Sequence, residues 1–263
     1  MMERGSDVLA FTVSYGDRAF LTDAVKELRA TAGCWFDWAV FLGAPSPALR
    51  ASAEALLQHP EHTGIQALLC WPENRGQHHA TQAALQLARE SGYTWLLRLD
   101  DDIRPKTKRW LHKMLARLTD LKKVVGDEHY RLVAAPRLIG LRNQLQPIGT
   151  LDKGQAFPVE LMDILGGACR LHPMAMMEGY EPPLLDPVGR GDPDTLSSYI
   201  RTSTFGGLLV RFPDIRMIHA TDKIEAQDSP EQARLRRMGQ YWPYLGPGAP
   251  SPSDETPEEV AHA

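Results

Sequence analysis

Cysteine is scarce. Cys34, Cys70 and Cys169 are the only three in 263 residues, widely separated and with no C-x-x-C pair. That excludes a disulfide framework and gives no reason to expect a zinc site. Long hydrophobic runs are missing too. The first apolar stretch, Val8 to Val13, is far too short for a transmembrane span or a signal-peptide core, so no export is expected and the expected location is the cytoplasm. Nor does one sign of charge dominate. With 29 Lys and Arg against 33 Asp and Glu, the formal charge is −4. This argues against a dominant non-specific grip on a phosphate backbone, while leaving nucleic acid open as a substrate.

What is present is a globular composition. Hydrophobic residues make up 43% and charged residues 24%, as expected of a soluble folded chain that buries its apolar surface without staples. The local run Arg104, Lys106, Lys108, Arg109 and Lys113 reads first as a solvated helix face. The segment after Tyr244, rich in Gly, Pro, Ser and Glu, cannot offset its ordering entropy by apolar burial, so residues 246–263 are expected to be a disordered tail.

The first half alternates short apolar runs with amphipathic stretches, the pattern of βα units feeding a mainly parallel sheet. Strands are expected at Val8 to Ser14, Trp38 to Leu42, Ile65 to Cys70 and Thr94 to Leu99. Helices are expected where Phe20, Leu21, Ala24, Val25 and Leu28, then Pro47 to Gln58, then Ala80, Ala83, Ala84, Leu87 and Ala88, and finally Trp110, Leu111, Met114, Leu115 and Leu118 repeat at helical spacing. Beyond residue 130 the regularity fades. Apolar runs at Leu132 to Ile139, Leu161 to Leu171, Gly207 to Phe212 and Ile215 to His219 read as strands. The Gly-, Gln- and Pro-rich stretch from Gly140 to Pro158 reads as a loop or hairpin over a site. The expected organisation is one α/β domain over residues 1–245, with a nucleotide-binding half at about 8–130 and a less regular acceptor-side half at about 131–245.

Polar clusters follow three of the predicted strands: Ser14-Tyr15-Gly16-Asp17, Asn74-Arg75-Gly76 and Asp100-Asp101-Asp102. Parallel strands place such clusters along one edge, where ligands of open α/β sheets bind. Three consecutive carboxylates repel one another unless a cation or hydrogen-bond donors compensate them. A hard divalent ion, Mg²⁺ or Mn²⁺, is the simplest compensator, because such ions use one or two carboxylates and complete their shell with substrate phosphates. The plainer alternative is a solvated turn in which one Asp caps the helix after Pro105.

These stretches resemble the family 2 glycosyltransferases, whose GT-A fold is a Rossmann-like, mainly parallel sheet flanked by helices and carrying an Asp-x-Asp motif. The likeness spans about residues 8–220. Phe11-Thr12-Val13-Ser14-Tyr15-Gly16 resembles the family's first strand and base-contacting segment, and Asn74-Arg75-Gly76 its Asn-x-Gly stretch. Trp95-Leu96-Leu97-Arg98-Leu99-Asp100-Asp101-Asp102 is similar to its apolar strand and acidic motif. The resemblance implies donor contacts from Ser14, Tyr15, Asn74, Gly76, Asp100 and Asp101, and metal contacts from Asp102, Asp100 and His219. Asp101, the middle member, is expected to turn away along the strand's two-residue period. Gly166-Gly167-Ala168 resembles the segment beside the acceptor pocket; a Gly pair also serves close strand packing.

Farther on, Asp192-Pro193-Asp194 lies where the family carries a Glu-Asp pair whose Asp is the general base of inverting members. That pair is not intact here, since Pro193 or Gly191 stands in place of the Glu. Asp194 fits the family spacing to Gly206 better than Asp192 does. Asp194 would also serve as a helix N-cap. A second departure follows the second strand, where Gly43-Ala44-Pro45-Ser46 replaces the Asp that usually holds the base, leaving a UDP-sugar only as the default donor. The resemblance implies a metal-dependent transferase moving a sugar from a nucleotide-sugar to an acceptor that is a sugar, lipid, protein or modified nucleobase. A nucleotidyltransferase is the nearest alternative, although Ser14-Tyr15-Gly16-Asp17-Arg18 lacks the Gly-rich phosphate loop such enzymes use. A non-catalytic sugar-nucleotide-binding module is the other.

Overall fold

The computed structural model describes residues 6–16, 18–126, 132–139, 145–177 and 207–219. All of them belong to one compact unit, Met1–Gln227. The predicted tail and the segment holding Asp192 and Asp194 lie outside the described residues.

The first half is the βα alternation that the apolar pattern predicts: β1 (Val8–Tyr15), α1 (Leu21–Thr31), β2 (Asp37–Gly43), α2 (Pro47–Leu57), a single-turn helix α3 (Pro60–Thr63), β3 (Ile65–Trp71), α4 (Gly76–Glu90) and β4 (Trp95–Leu99). After it come β5 (Ile103–Pro105), α5 (Trp110–Val125), β6 (Leu132–Ile139), β7 (Pro147–Thr150), β8 (Glu160–Met162), β9 (Cys169–Pro173), a 3₁₀ turn at Met174–Met177 and β10 (Leu208–His219).

The ten strands among the described residues form one sheet in the order β3-β2-β1-β4-β9-β6-β10-β8-β7, with β5 against β10. Strands β3, β2, β1 and β4 are mutually parallel neighbours, and β6 is parallel to β10. The antiparallel β9 joins these two blocks, while β5 and β8 run against β10. The fold is thus α/β with a mainly parallel central sheet.

Alternation along the inner strands sorts side chains into two layers. Val8, Ala10, Trp38, Val40 and Leu97 pack under α1, α2 and α5, whose buried stripes include Leu21, Leu28, Leu49, Trp110 and Met114. Leu9, Phe11, Ala39, Phe41 and Leu96 pack under α4 through Ala80, Ala84 and Ala88. Burial on both faces is why β1 and β2 read as near-continuous apolar runs. Small residues on α4 let that helix approach closely. Inside the first layer the Trp38 indole donates to the Thr12 hydroxyl at 2.9 Å, satisfying a buried donor.

The second half departs from expectation in two places. The Leu161 to Leu171 run is not one strand: it breaks into β8 and β9, and Gly166 and Gly167 lie in the turn between them, not paired in a strand. Conversely, the two runs ending at Phe212 and His219 are a single strand, β10, with an irregularity between Phe212 and Arg216. The 140–158 stretch contributes β7, which pairs with β8 as a hairpin. No described helix is long and apolar enough to cross a membrane.

Candidate active site

The parallel strands β1, β2, β3 and β4 deliver their loops to one edge, and hydrogen bonds pin those loops together. Gly16 N–H donates to Gly43 O at 3.2 Å, Ser46 N–H to Gly16 O at 2.6 Å and Ala44 N–H to Trp71 O at 3.0 Å. Gly43 serves here by having no side chain, since a Cβ would sit 2.9 Å from Asn74 Oδ1. That oxygen accepts from Gly76 N–H at 3.1 Å, and Gly76 takes φ 74° at the start of α4. Asn74 and Gly76 therefore form one turn, with the amide oxygen holding a left-handed residue that favours glycine.

At the end of β4 the three aspartates occupy three different environments. Asp101 is fully buried. Its carboxylate accepts from the Ser14 hydroxyl at 2.5 Å and from the Arg18 guanidinium at 2.9 Å. Asp102 is nearly buried, with Oδ2 3.9 Å from Arg18. The Asp100 side chain is 25% exposed and lies 3.4 Å from Arg98 Nε. Asp101 and Asp102 are thus withdrawn from solvent while Asp100 stays partly exposed, and no aspartate caps the following helix, because α5 begins after Arg109 at φ 57°. Arg104 folds back under the turn and donates to the carbonyls of Asp101 and Ile103, leaving the flanking basic run otherwise exposed at Lys106, Lys108, Arg109 and Lys113.

Burial pushes the Asp101 carboxyl up to about 6. The Arg18 charge pulls it down, Asp102 pushes it up, the Ser14 hydrogen bond pulls it down and Asp100 adds a further upward push. Arg18 also lies over the Tyr15 ring, 4.6 Å from its centroid, a cation–π contact. Tyr15, Arg18, Asp101 and Asp102 are thereby one connected group.

Two further segments reach this edge. Asp100 N–H donates to Ala168 O at 2.8 Å, which brings the Gly166-Gly167-Ala168 turn alongside the acidic residues. His219 ends β10 in register with Ile103, the residue after Asp102. Ser14, Tyr15, Asp100, Asp101, Asp102, the glycine turn and the backbone of His219 therefore converge, while Asn74 and Gly76 stand at the adjoining end of β3. Asp192 and Asp194 fall outside the described residues.

Sequence reasoning missed Arg18 and Arg98. Arg98 is 3% exposed on β4, where it reaches Asp100 and the side-chain oxygen of Gln77 on α4. A charged residue inside an apolar strand was its available signal, since a buried charge implies partners. Arg18 gives no such signal, because its acidic partners, Asp101 and Asp102, lie far along the chain. Opposite Arg98 on β9 stands the equally buried Arg170. Burial and these two cations hold the His172 imidazole well below its ordinary pKa, so it is neutral at neutral pH.

The donor set at the turn is hard oxygen. Among the described residues no three His, Cys, Asp or Glu side chains converge to hold a metal by themselves. Two carboxylates, Asp100 and Asp102, nevertheless flank a third that is already engaged. Such a set fits a hard divalent ion whose remaining ligands come from water or substrate phosphate.

The sequence matches no protein-family model and no curated protein. Its fold is similar to several solved structures. One is GalNAc-T7 with UDP, GalNAc and Mn²⁺, at TM-score 0.59 and 12% identity, covering 81% of this chain and 43% of that one. Another is the mannosyltransferase PcManGT from Pyrobaculum calidifontis with GDP-Man and Mn²⁺, at TM-score 0.58 and 12% identity over 88% and 59%. A third is S. aureus TarS 1–349, at TM-score 0.53 and 12% identity over 82% and 61%. The chain thus spans between about two fifths and three fifths of the length of these proteins. At this identity the likeness carries the fold alone, and the conclusion from topology and comparison together is that this chain has a GT-A-type glycosyltransferase fold.

Proposed function

We propose that the chain transfers a sugar from a nucleoside-diphosphate-sugar to an acceptor hydroxyl, in a metal-dependent reaction that inverts the anomeric centre. The observation that carries this reading is the buried acidic turn at the end of β4, set beside Tyr15 and the glycine turn on a GT-A-type sheet. The similar solved structures of GalNAc-T7 with UDP and Mn²⁺ and of PcManGT with GDP-Man and Mn²⁺ support it.

Tyr15, Asn74 and Gly76 would line the nucleotide, with Asp100 toward the ribose and diphosphate region. Ser14 and Asp101, being bonded to each other, would serve the donor by shaping the turn. Asp102 and Asp100 would hold the divalent ion, Mn²⁺ or Mg²⁺, with His219 as a further ligand. When bound, such an ion supplies charge neutralisation for the departing nucleoside diphosphate. Gly166 and Gly167 would leave room for the acceptor. On the sequence pattern, Asp194 takes the acceptor hydroxyl proton as that oxygen bonds to the anomeric carbon and the bond to the diphosphate oxygen breaks. Asp192 is the second choice for this base. A single displacement of this kind inverts the configuration.

The test is product analysis after incubation with mixed nucleotide-sugars and Mn²⁺. Free nucleoside diphosphate with a glycosylated acceptor is expected. Pyrophosphate release would indicate a nucleotidyltransferase, and binding without turnover a sugar-nucleotide-binding module. Asp194→Asn should lower turnover by about 10²- to 10⁴-fold, the range for a positioned proton acceptor, with donor affinity nearly unchanged.

A further inference from the structure

The acidic turn already contains a cation. Arg18 donates to Asp101 at 2.9 Å and places its other terminal nitrogen 3.9 Å from Asp102. It is held there from two sides: Ser14 fixes the Asp101 carboxylate at 2.5 Å, and the Tyr15 ring lies under the guanidinium. The Arg18 side chain is only 9% exposed, so its charge is weakly screened by solvent. Arginine stays protonated throughout the ordinary pH range, so this positive charge cannot be titrated away to make room for another.

We infer that Arg18 is the resident cation of the acidic turn and makes the divalent ion enter together with the anionic diphosphate instead of ahead of it. This rests on the transferase reading above and adds an order of binding to it. A free divalent ion approaching Asp102 meets attraction from the carboxylates and repulsion from a guanidinium fixed among them. Of the three negative charges, Arg18 offsets one outright, and its partner Asp101 is turned away from the role of ligand. A second buried cation, Arg98, stands 3.4 Å from Asp100, so what remains at Asp100 and Asp102 is a weak site for a bare ion. A metal–diphosphate complex changes the balance, because its phosphate charges are attracted by the same guanidinium that opposes the bare ion. Arg18 is on this account a positioning residue for the turn and a discriminator between bare and complexed metal.

The experiment is calorimetric titration of the full chain with Mn²⁺, alone and then with saturating UDP or GDP, for the wild type, R18M, R18Q and R18K. Thermal melts of each variant accompany it. The wild type should take bare Mn²⁺ weakly and take it at least about tenfold more tightly with a nucleoside diphosphate present. R18M should bind bare Mn²⁺ about tenfold or more tightly than the wild type, since even strongly screened repulsion between a divalent and a single charge is of this size. R18K, keeping the charge, should resemble the wild type. Should R18M melt below the assay temperature, the isopolar R18Q is read in its place. Equal affinity for bare Mn²⁺ in the wild type and the neutral variants would overturn the inference. Absence of any nucleotide effect on Mn²⁺ binding in the wild type would overturn the transferase reading and the order of binding together, whereas a retained nucleotide effect with equal bare-ion affinity overturns the order of binding alone, so the two failures are distinguishable.

Discussion

Ser14→Ala removes one hydroxyl from a fully buried position, where it donates to Asp101 at 2.5 Å. Asp101 keeps the Arg18 contact at 2.9 Å, so the carboxylate loses one of these two donors. Hydrogen bonds to charged groups contribute roughly 1.5–3 kcal/mol, so a loss of about 2–3 kcal/mol is expected where Asp101 is ionised. For a domain of this size that corresponds to a melting shift of roughly 4–10 °C. The loss should depend on pH. Burial raises the Asp101 pKa from its ordinary 3.8 to about 6, so the folded state holds this proton to higher pH than the unfolded state. Its stabilising contribution is complete below about 4 and is lost as pH rises through about 6. The Ser14 bond favours the ionised form, so its deletion should cost about 1 kcal/mol at pH 5 and the full amount at pH 8. Urea unfolding of both proteins at the two pH values measures the difference. An equal loss at pH 5 and pH 8 would refute the idea that Ser14 serves an ionised, buried Asp101.

Other predictions follow from neighbouring contacts. Asp102→Asn should abolish the effect of Mn²⁺ on nucleoside diphosphate affinity with little change in melting temperature, whereas Asp101→Asn should lower the melting temperature by breaking the bonds to Ser14 and Arg18; calorimetry and thermal melts on both separate the two roles. Thr12→Val leaves the buried Trp38 indole N–H without its acceptor and should cost about 1–3 kcal/mol, read by urea unfolding. His172 is held neutral by burial and by Arg170 and Arg98, so its contribution is present above its ordinary pKa of 6.5 and is lost as pH falls toward the depressed folded value. Melting curves from pH 7 to pH 4 should therefore flatten in His172→Gln. Gly43→Ala should weaken nucleoside diphosphate binding in calorimetry, because the new Cβ would meet Asn74 Oδ1 at 2.9 Å and displace the turn that holds Gly76.

The βα half was legible because its physics is local. Leu21, Ala24, Val25 and Leu28 repeat at helical spacing and are all buried in α1, and each of the four predicted strands corresponds to an observed one. The second half was less legible because its boundaries are set by tertiary partners. The Gly166-Gly167 turn that separates β8 from β9 interrupts a run that is apolar on both sides. Between Phe212 and Arg216 the chain changes register against β6 and continues as the same strand, so the break signal of Pro213 was overridden by pairing. The three-residue β5 is too short for any periodicity to reveal. In the site, the acidic turn announced itself by three adjacent carboxylates at a strand end. Its internal compensation did not, because Arg18 is 83 residues from Asp101 in sequence and looks like any polar loop residue. Arg98 was visible in principle as a charge inside Trp95-Leu96-Leu97-Arg98-Leu99.

Sugar transfer from a nucleoside-diphosphate-sugar is decided by phosphorus NMR of the full chain with mixed nucleotide-sugars and Mn²⁺. A nucleoside diphosphate should accumulate, and excess chelator should stop it. Accumulation of pyrophosphate, or a spectrum unchanged by the protein across the donor mixture and candidate acceptors, would contradict it.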